Sequence, residues 1–260
     1  MDELKTISEI EFNDIVARTG FNKDKLKKDY YLTLILYLIK DVKGIYFKGG
    51  TALNKIFLNH ARLSEDIDFS LTRNEKEIKE EISKILLNSD LVKEITEGKK
   101  VDGFLRMIIK CKSEIGESEI FIDLNQRAKL SLPAEEHEIN HFYVPFIPEF
   151  SIKTVAEEEL FAEKTAATIG RNKPRDHYDV YMILKKGLPI NMELVKKKCH
   201  QSEDEFSIIK MFNKAKMLKN RWDKDMISLI SEPITFQEVI QYLAKHFKLK
   251  EEKEKLKDKK

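Results

Sequence analysis

The sequence predicts an α+β chain: a mixed sheet flanked by helices over residues 1–150, then a helical domain over residues 151–260. Three observations carry that division. The runs "DIDFSL", "FLRMIIKC" and "SEIFIDLN" all fall in the first part and show the two-residue alternation of half-buried strands. Beyond "FYVPFIPEF", which reads as a linker or edge segment, the period turns helical, as in "TVAEEELFAEKTAATIG" and "PRDHYDVYMILKKG". Charge divides as well, with a balance of −4 over residues 1–150 and +6 over residues 151–260. The tail "KLKEEKEKLKDKK", a frayed helix end from about residue 248, supplies +3 of the latter. An acidic half beside a basic half suits a metal site next to a surface that binds polyanions.

Taken in order, Asn22 is placed to cap a helix reaching about Asp41, whose second half is apolar on most sides and therefore buried. "GIYFKGG" reads as a short strand entering a glycine turn, and "TALNKIFLNH" as a helix with Leu53, Ile56 and Phe57 on one face. "DIDFSL" follows as a strand and "NEKEIKEEISKILL" as an amphipathic helix. "SEIGE" turns the chain between the next two strands. The later helices are bounded by Gly170, by Pro174 and by Gly187, with two or three more to follow.

With 260 residues the chain fits one large domain or two compact ones, and 35% charged residues mark a soluble globular protein. The longest apolar run, Tyr30 to Ile39, is interrupted by Thr33 and is too short to span a bilayer. "MDELKTISEIEF" lacks the basic start and apolar middle of a signal peptide. Cys111 and Cys199 make neither a disulfide framework nor a metal-ligand cluster. A reduced, cytoplasmic compartment without membrane attachment is the expectation.

The residues that carry chemistry begin with Asp66 and Asp68. Two apart on a strand, they share a face, and carboxylates so close repel unless a cation neutralises them. Hard oxygen ligands in that arrangement suit Mg²⁺. The pair alone is equally an exposed strand face. Asp123 sits in "EIFIDLN" with Phe121 and Asn125 on its own face, and a carboxylate near the end of an apolar strand requires a partner or a metal. Taken singly it could also face water at an edge. Gly49 and Gly50, after Lys48 and before a helix, allow close approach of a phosphate to the backbone, and Thr51 could add a hydroxyl donor. Most Gly-Gly pairs are only turns, and the spacings of a Walker loop or dinucleotide fingerprint are absent. In the second half, Asp176 and Asp179 fall on one side of a helix within an apolar stripe, with Lys164, Arg171 and Arg175 as candidate partners. An ion pair clamping two helices and a role in nucleotide binding are level readings of that cluster.

Together "KGGTAL", "R-SEDIDF" without the intervening Leu63, the apolar-Asp strand and "AEK…RDHYD" resemble the AbiEii-type nucleotidyltransferases. These are toxin components of abortive-infection and toxin–antitoxin pairs, in the DNA polymerase beta-like nucleotidyltransferase superfamily. The resemblance covers roughly residues 29–184 and implies the nucleotidyltransferase core fold. It implies that Gly49, Gly50 and Thr51 hold the triphosphate, with Lys48, Arg62 and Ser64 beside it. It further implies that Asp66, Asp68 and Asp123 bind the metal and carry catalysis. Lys164 would match the lysine of the family's second cluster, joining catalysis and nucleotide binding, with Arg175, Asp176 and Asp179 on the nucleotide as well.

The expected activity is transfer of a nucleoside monophosphate from an NTP to a hydroxyl acceptor, with RNA such as the tRNA acceptor end as the acceptor. One or two Mg²⁺ ions, or Mn²⁺ in their place, would serve it, and a cognate antitoxin protein would be the partner. Three rivals stand beside it: a module that binds NTP or RNA and transfers nothing, a metal-dependent nuclease, and a structural partner of an antitoxin.

Overall fold

The computed structural model describes residues 4–127, 129–171 and 173–257. The chain divides into two compact units, Met1–Ala156 and Glu157–Lys260. The boundary lies six residues beyond the expected 150, because a short strand at residues 151–154 still belongs to the first unit's sheet.

In the first unit, α1 (Glu9–Thr19) opens on a capping box between Ser8 and Glu11. α2 (Lys23–Ile39) opens on Asn22, whose side chain accepts from the Asp24 and Lys25 N–H groups. β1 (Ile45–Lys48) runs directly into α3 (Gly49–Ala52), which continues as one π-helical turn over Leu53–Phe57. β2 (Asp66–Leu71), α4 (Glu75–Leu87), β3 (Val92–Val101), β4 (Phe104–Ser113), β5 (Gly116–Asn125), β6 (Glu135–Glu138) and β7 (Ser151–Thr154) complete it. The sheet order is β3-β4-β5-β2-β1-β7-β6, with β2/β5 and β1/β7 parallel and the other pairs antiparallel.

Matching registers give the sheet one continuous apolar face. Phe47 pairs with Phe69, Phe69 with Leu124 and Leu124 with Leu105, while Ile67 pairs with Ile122 and Ile122 with Met107. All are fully buried. α2 packs against β5 and α4, and α4 against β3, β4 and β5. β3 and β6 are edges, and their charged, mostly exposed residues lack the apolar alternation that identifies a central strand.

The expected apolar face of "TALNKIFLNH" is corrected. Leu53 is buried, but Ile56 and Phe57 are half-buried, and the π turn carries Asn54 and Lys55 inside instead. The Lys55 ammonium stands 2.9 and 3.0 Å from the two Asp29 oxygens and donates to Thr33 Oγ1 at 2.9 Å. The Tyr143 hydroxyl donates to Asp29 and to the Leu26 carbonyl. Buried charge is sustained only by such pairing. "FYVPFIPEF" is accordingly no mere linker, since Tyr143, Ile147 and Phe150 are buried in this unit.

The second unit is helical among the described residues: α5 (Glu157–Gly170), α6 (Pro174–Lys185), α7 (Met192–Gln201), α8 (Ile208–Asn213), α9 (Ala215–Met226), α10 (Phe236–His246) and α11 (Leu249–Lys257). More helices follow α6 than expected, because α8 and α9 meet at Lys214 with little sequence punctuation between them. α11 buries no residue, as the charged tail implies. Among the described residues no helix is long and apolar enough to cross a membrane.

Candidate functional site

The registers that align the apolar face also align the polar one. Asp68 is the Cα partner of Asp123 across the parallel β2/β5 pair, of Lys48 across β1/β2, and Asp123 is the partner of Arg106 across β4/β5. Lys48, Asp68, Asp123 and Arg106 thus form one row across four strands. Asp66, opposite Phe121, lies two residues along β2 on the same face. The three aspartates expected to converge are therefore neighbours on one face of the first unit.

Asp123 is not free to act alone. Arg106 grips it as a fork, Nε to Oδ1 and Nη2 to Oδ2, both at 2.7 Å. The hydrogen bond to Asp123 raises the proton affinity of the guanidinium. Partial burial opposes the shift, and the charges of Asp123, Asp66 and Asp68 reinforce it. Arg106 thus stands in the field of all three carboxylates.

The glycine turn abuts this row. Gly49 has φ +78°, and a Cβ there would lie 2.2 Å from Asp68 Oδ2, so only a bare backbone leaves the carboxylate its place. A Cβ on Gly50 would lie 2.7 Å from Arg62 Nη2 and 3.2 Å from Ser64 Oγ. The expected phosphate donor Thr51 is committed elsewhere: it is buried and its hydroxyl donates to the Asp66 carbonyl, tying the turn to β2. Arg62 is likewise buried and donates to the Leu63 carbonyl at 2.9 Å. Asn54 links both segments, donating to Gly50 O and accepting from the Arg62 N–H. Thr51, Asn54 and Arg62 therefore build the turn, and Ser64, half-buried beside Gly50, is the nearer candidate for a ligand contact.

Gly49→Ala is expected to lower stability by about 1–2 kcal/mol through the left-handed backbone. It should also displace Asp68, which a shifted unfolding midpoint and a structure of the variant would report. An unchanged Asp68 carboxylate would contradict the packing.

The donor set is carboxylate oxygen only, on a face that spares room for it through Gly49, and this fits a hard divalent ion. Asp66 and Asp68 supply the fit. Asp123 has both oxygens on Arg106, and among the described residues no group of three or more His, Cys, Asp or Glu side chains forms a ready cage. Of the three carboxylates expected to bind a metal, Asp66 and Asp68 thus stand together on β2, and Asp123 is held by an arginine.

In the second unit the Lys164 ammonium lies 3.1 Å from Asp176 Oδ1 and 3.0 Å from Asp179 Oδ2. Arg171 forks the same Asp176, with both contacts at 2.8 Å. All three Lys164-cluster groups are buried, so the geometry is that of an ion-pair clamp between α5 and α6. The charge of Lys164, which was expected on a triphosphate, is shared here by two buried carboxylates. Arg175 is half-buried on α6. His177, the variable residue of "RDHYD", was not singled out for packing. Its ring nitrogens lie 3.1 Å from Lys173 O and 2.9 Å from Met211 O, tethering α8.

Burial alone would push the Asp176 carboxyl up, but Lys164 and Arg171 together hold it well below the ordinary carboxylate range. A depressed folded value contributes stability that is complete above the unfolded value near 3.8 and is lost as pH falls through the lower folded one. Urea unfolding from pH 5 to pH 2 should therefore show a steeper acid loss in wild type than in Asp176→Asn. Parallel curves would contradict this.

Within "KKKCH", Lys198 turns inward onto Glu159 and Glu163, leaving Lys196 and Lys197 exposed. On α9, Lys216, Lys219 and Lys224 are exposed.

The sequence profile of the family described as "Nucleotidyl transferase AbiEii toxin, Type IV TA system" matches residues 37–242. Among curated proteins no match is found. The crystal structure of JHP933 from Helicobacter pylori is similar with a TM-score of 0.61 and 17% identity, over 92% of this chain and 98% of that one. A second H. pylori crystal structure, described as a candidate nucleotidyltransferase, gives 0.59 and 17%, over 91% and 98%. At that identity the two structures establish a shared fold.

Proposed function

The chain belongs to the AbiEii nucleotidyltransferase toxin family, and from that premise we propose that it transfers a nucleoside monophosphate from an NTP to a hydroxyl of RNA, such as the tRNA acceptor end. The observation that carries the reading is the register that sets Asp68 beside Asp123, with the Gly49 backbone against Asp68.

Asp66 and Asp68 would hold Mg²⁺, with Mn²⁺ as a substitute, and the bound ion would screen the triphosphate and polarise the phosphoryl group under attack. The remaining roles belong to the chain. Gly49 and Gly50 admit the phosphates against bare backbone, and Ser64 and Lys48 flank that position. The acceptor hydroxyl oxygen bonds to the α-phosphorus as the α–β bridging bond breaks, and pyrophosphate carries away the bridging oxygen. Asp123 aims the hydroxyl and takes its proton once the Arg106 fork releases one of its oxygens. Lys164, Asp176 and Asp179 serve by holding α5 against α6. Exposed lysines of α9 give the second unit a cationic surface suited to an RNA backbone. A cognate antitoxin follows from the family as the partner that restrains the activity.

Incubating the protein with each labelled NTP, Mg²⁺ and total RNA tests the reading. Label in RNA of increased length is expected. Label confined to free nucleotide would point to a binding module, and shortened RNA to a nuclease.

A further inference from the structure

We propose that Arg106 is a resident counter-cation of the carboxylate row and competes with a divalent ion for Asp123. The inference rests on the nucleotidyltransferase reading of that row and assigns a role to a residue outside the sequence motifs.

The geometry is specific. Arg106 and Asp123 are direct partners across β4/β5, so their side chains leave the sheet on the same face. The guanidinium takes both Asp123 oxygens at 2.7 Å and lies 5.1 Å from the centre of the Phe121 ring, which occupies the preceding position on that face. A bidentate fork is the strongest single hold an arginine offers a carboxylate, and the guanidinium stays charged at any ordinary pH. The proton affinity of Arg106 is raised chiefly by its hydrogen bond to Asp123, and the charges of Asp66 and Asp68 add to it.

Asp68 and Asp123 occupy adjacent strands in register, and three like charges on one face repel. Arg106 offsets that repulsion while no metal is bound. A hard ion seeking the third carboxylate must then take oxygens the guanidinium already holds. Asp123 joins the ion only as the fork opens. Arg106 is in this sense a positioning residue: it sets when Asp123 becomes available.

The test is Mn²⁺ binding without nucleotide, followed through the electron paramagnetic resonance of the free ion, so that no turnover is needed. Arg106→Gln should bind Mn²⁺ more tightly than wild type by at least about fivefold, since one positive charge leaves the site. Arg106→Lys, which keeps the charge but loses the fork, should fall between the two. In an Asp123→Asn background the gain from Arg106→Gln should shrink to the part that the loss of charge beside Asp66 and Asp68 contributes, because the contested carboxylate is gone. Equal or weaker binding by Arg106→Gln would overturn the role of Arg106 alone, provided wild type binds Mn²⁺ and Asp66→Asn with Asp68→Asn does not. No Mn²⁺ binding by wild type or variant would overturn the metal reading together with it. Should Arg106→Gln not fold, the Lys variant carries the comparison: binding no tighter than wild type overturns the proposal.

Discussion

Asp66→Asn combined with Asp68→Asn is expected to reduce nucleotide transfer by at least about 10³-fold, the scale on which a metal's charge stabilisation of several kcal/mol appears in a rate. The circular dichroism spectrum and unfolding midpoint should stay near wild type. Both carboxylates project from β2 on the face opposite Ile67 and Phe69, and both are only part-buried, so asparagine keeps the shape and removes only charge. Removing two like charges also relieves repulsion within the row. In cells, the same variant should lose any growth inhibition caused by the wild-type chain. Undiminished transfer in the double variant would separate the activity from this row of residues.

Lys164→Met should instead act on stability, lowering it by about 3–5 kcal/mol, as expected when one partner of a buried charge network is deleted. Asp176 and Asp179 would remain buried with one cation of their cluster removed. Neutralising Asp176 and Asp179 together with Lys164 should recover much of the loss, because no unpaired charge then remains inside. Denaturant midpoints of the single and triple variants decide the matter. A lysine that served a triphosphate would raise KM for NTP and leave stability within about 0.5 kcal/mol.

The sequence was most legible where one residue type repeated at strand spacing. Asp66, Asp68 and Asp123 announced themselves because carboxylates within apolar alternation have few inexpensive explanations, and the registers bring them together. Helix ends were equally plain where Asn22 or Pro174 supplied a cap or a start. What could not be read depended on partners distant in the chain. β3, β6 and β7 lie outside the alternating runs because edge strands and short strands need little apolar surface.

The Lys55–Asp29 pair was missed although each charge stands in an apolar neighbourhood, since only the π turn shows that Lys55 points inward. Arg106 carries a similar lesson. A charge alternating with Leu105 and Met107 reads as solvent-facing, and its pairing with Asp123 requires the β4/β5 register. Thr51 and Arg62 were assigned to a ligand on proximity to the motif, and the structure adds that the Thr51 hydroxyl and Arg62 Nη1 bond to the Asp66 and Leu63 backbone carbonyls. The division of Lys164 between clamp and ligand was undecidable in sequence because both roles require a buried cation among carboxylates.

The central claim is that Asp66 and Asp68 hold a divalent ion beside the glycine turn. Anomalous diffraction from crystals grown with Mn²⁺ and a non-hydrolysable NTP tests it most directly. A manganese peak coordinated by both carboxylates, with phosphate oxygens completing its shell against Gly49 and Gly50, is the predicted result. Nucleotide bound with its phosphates away from that turn, or manganese liganded elsewhere, would contradict it.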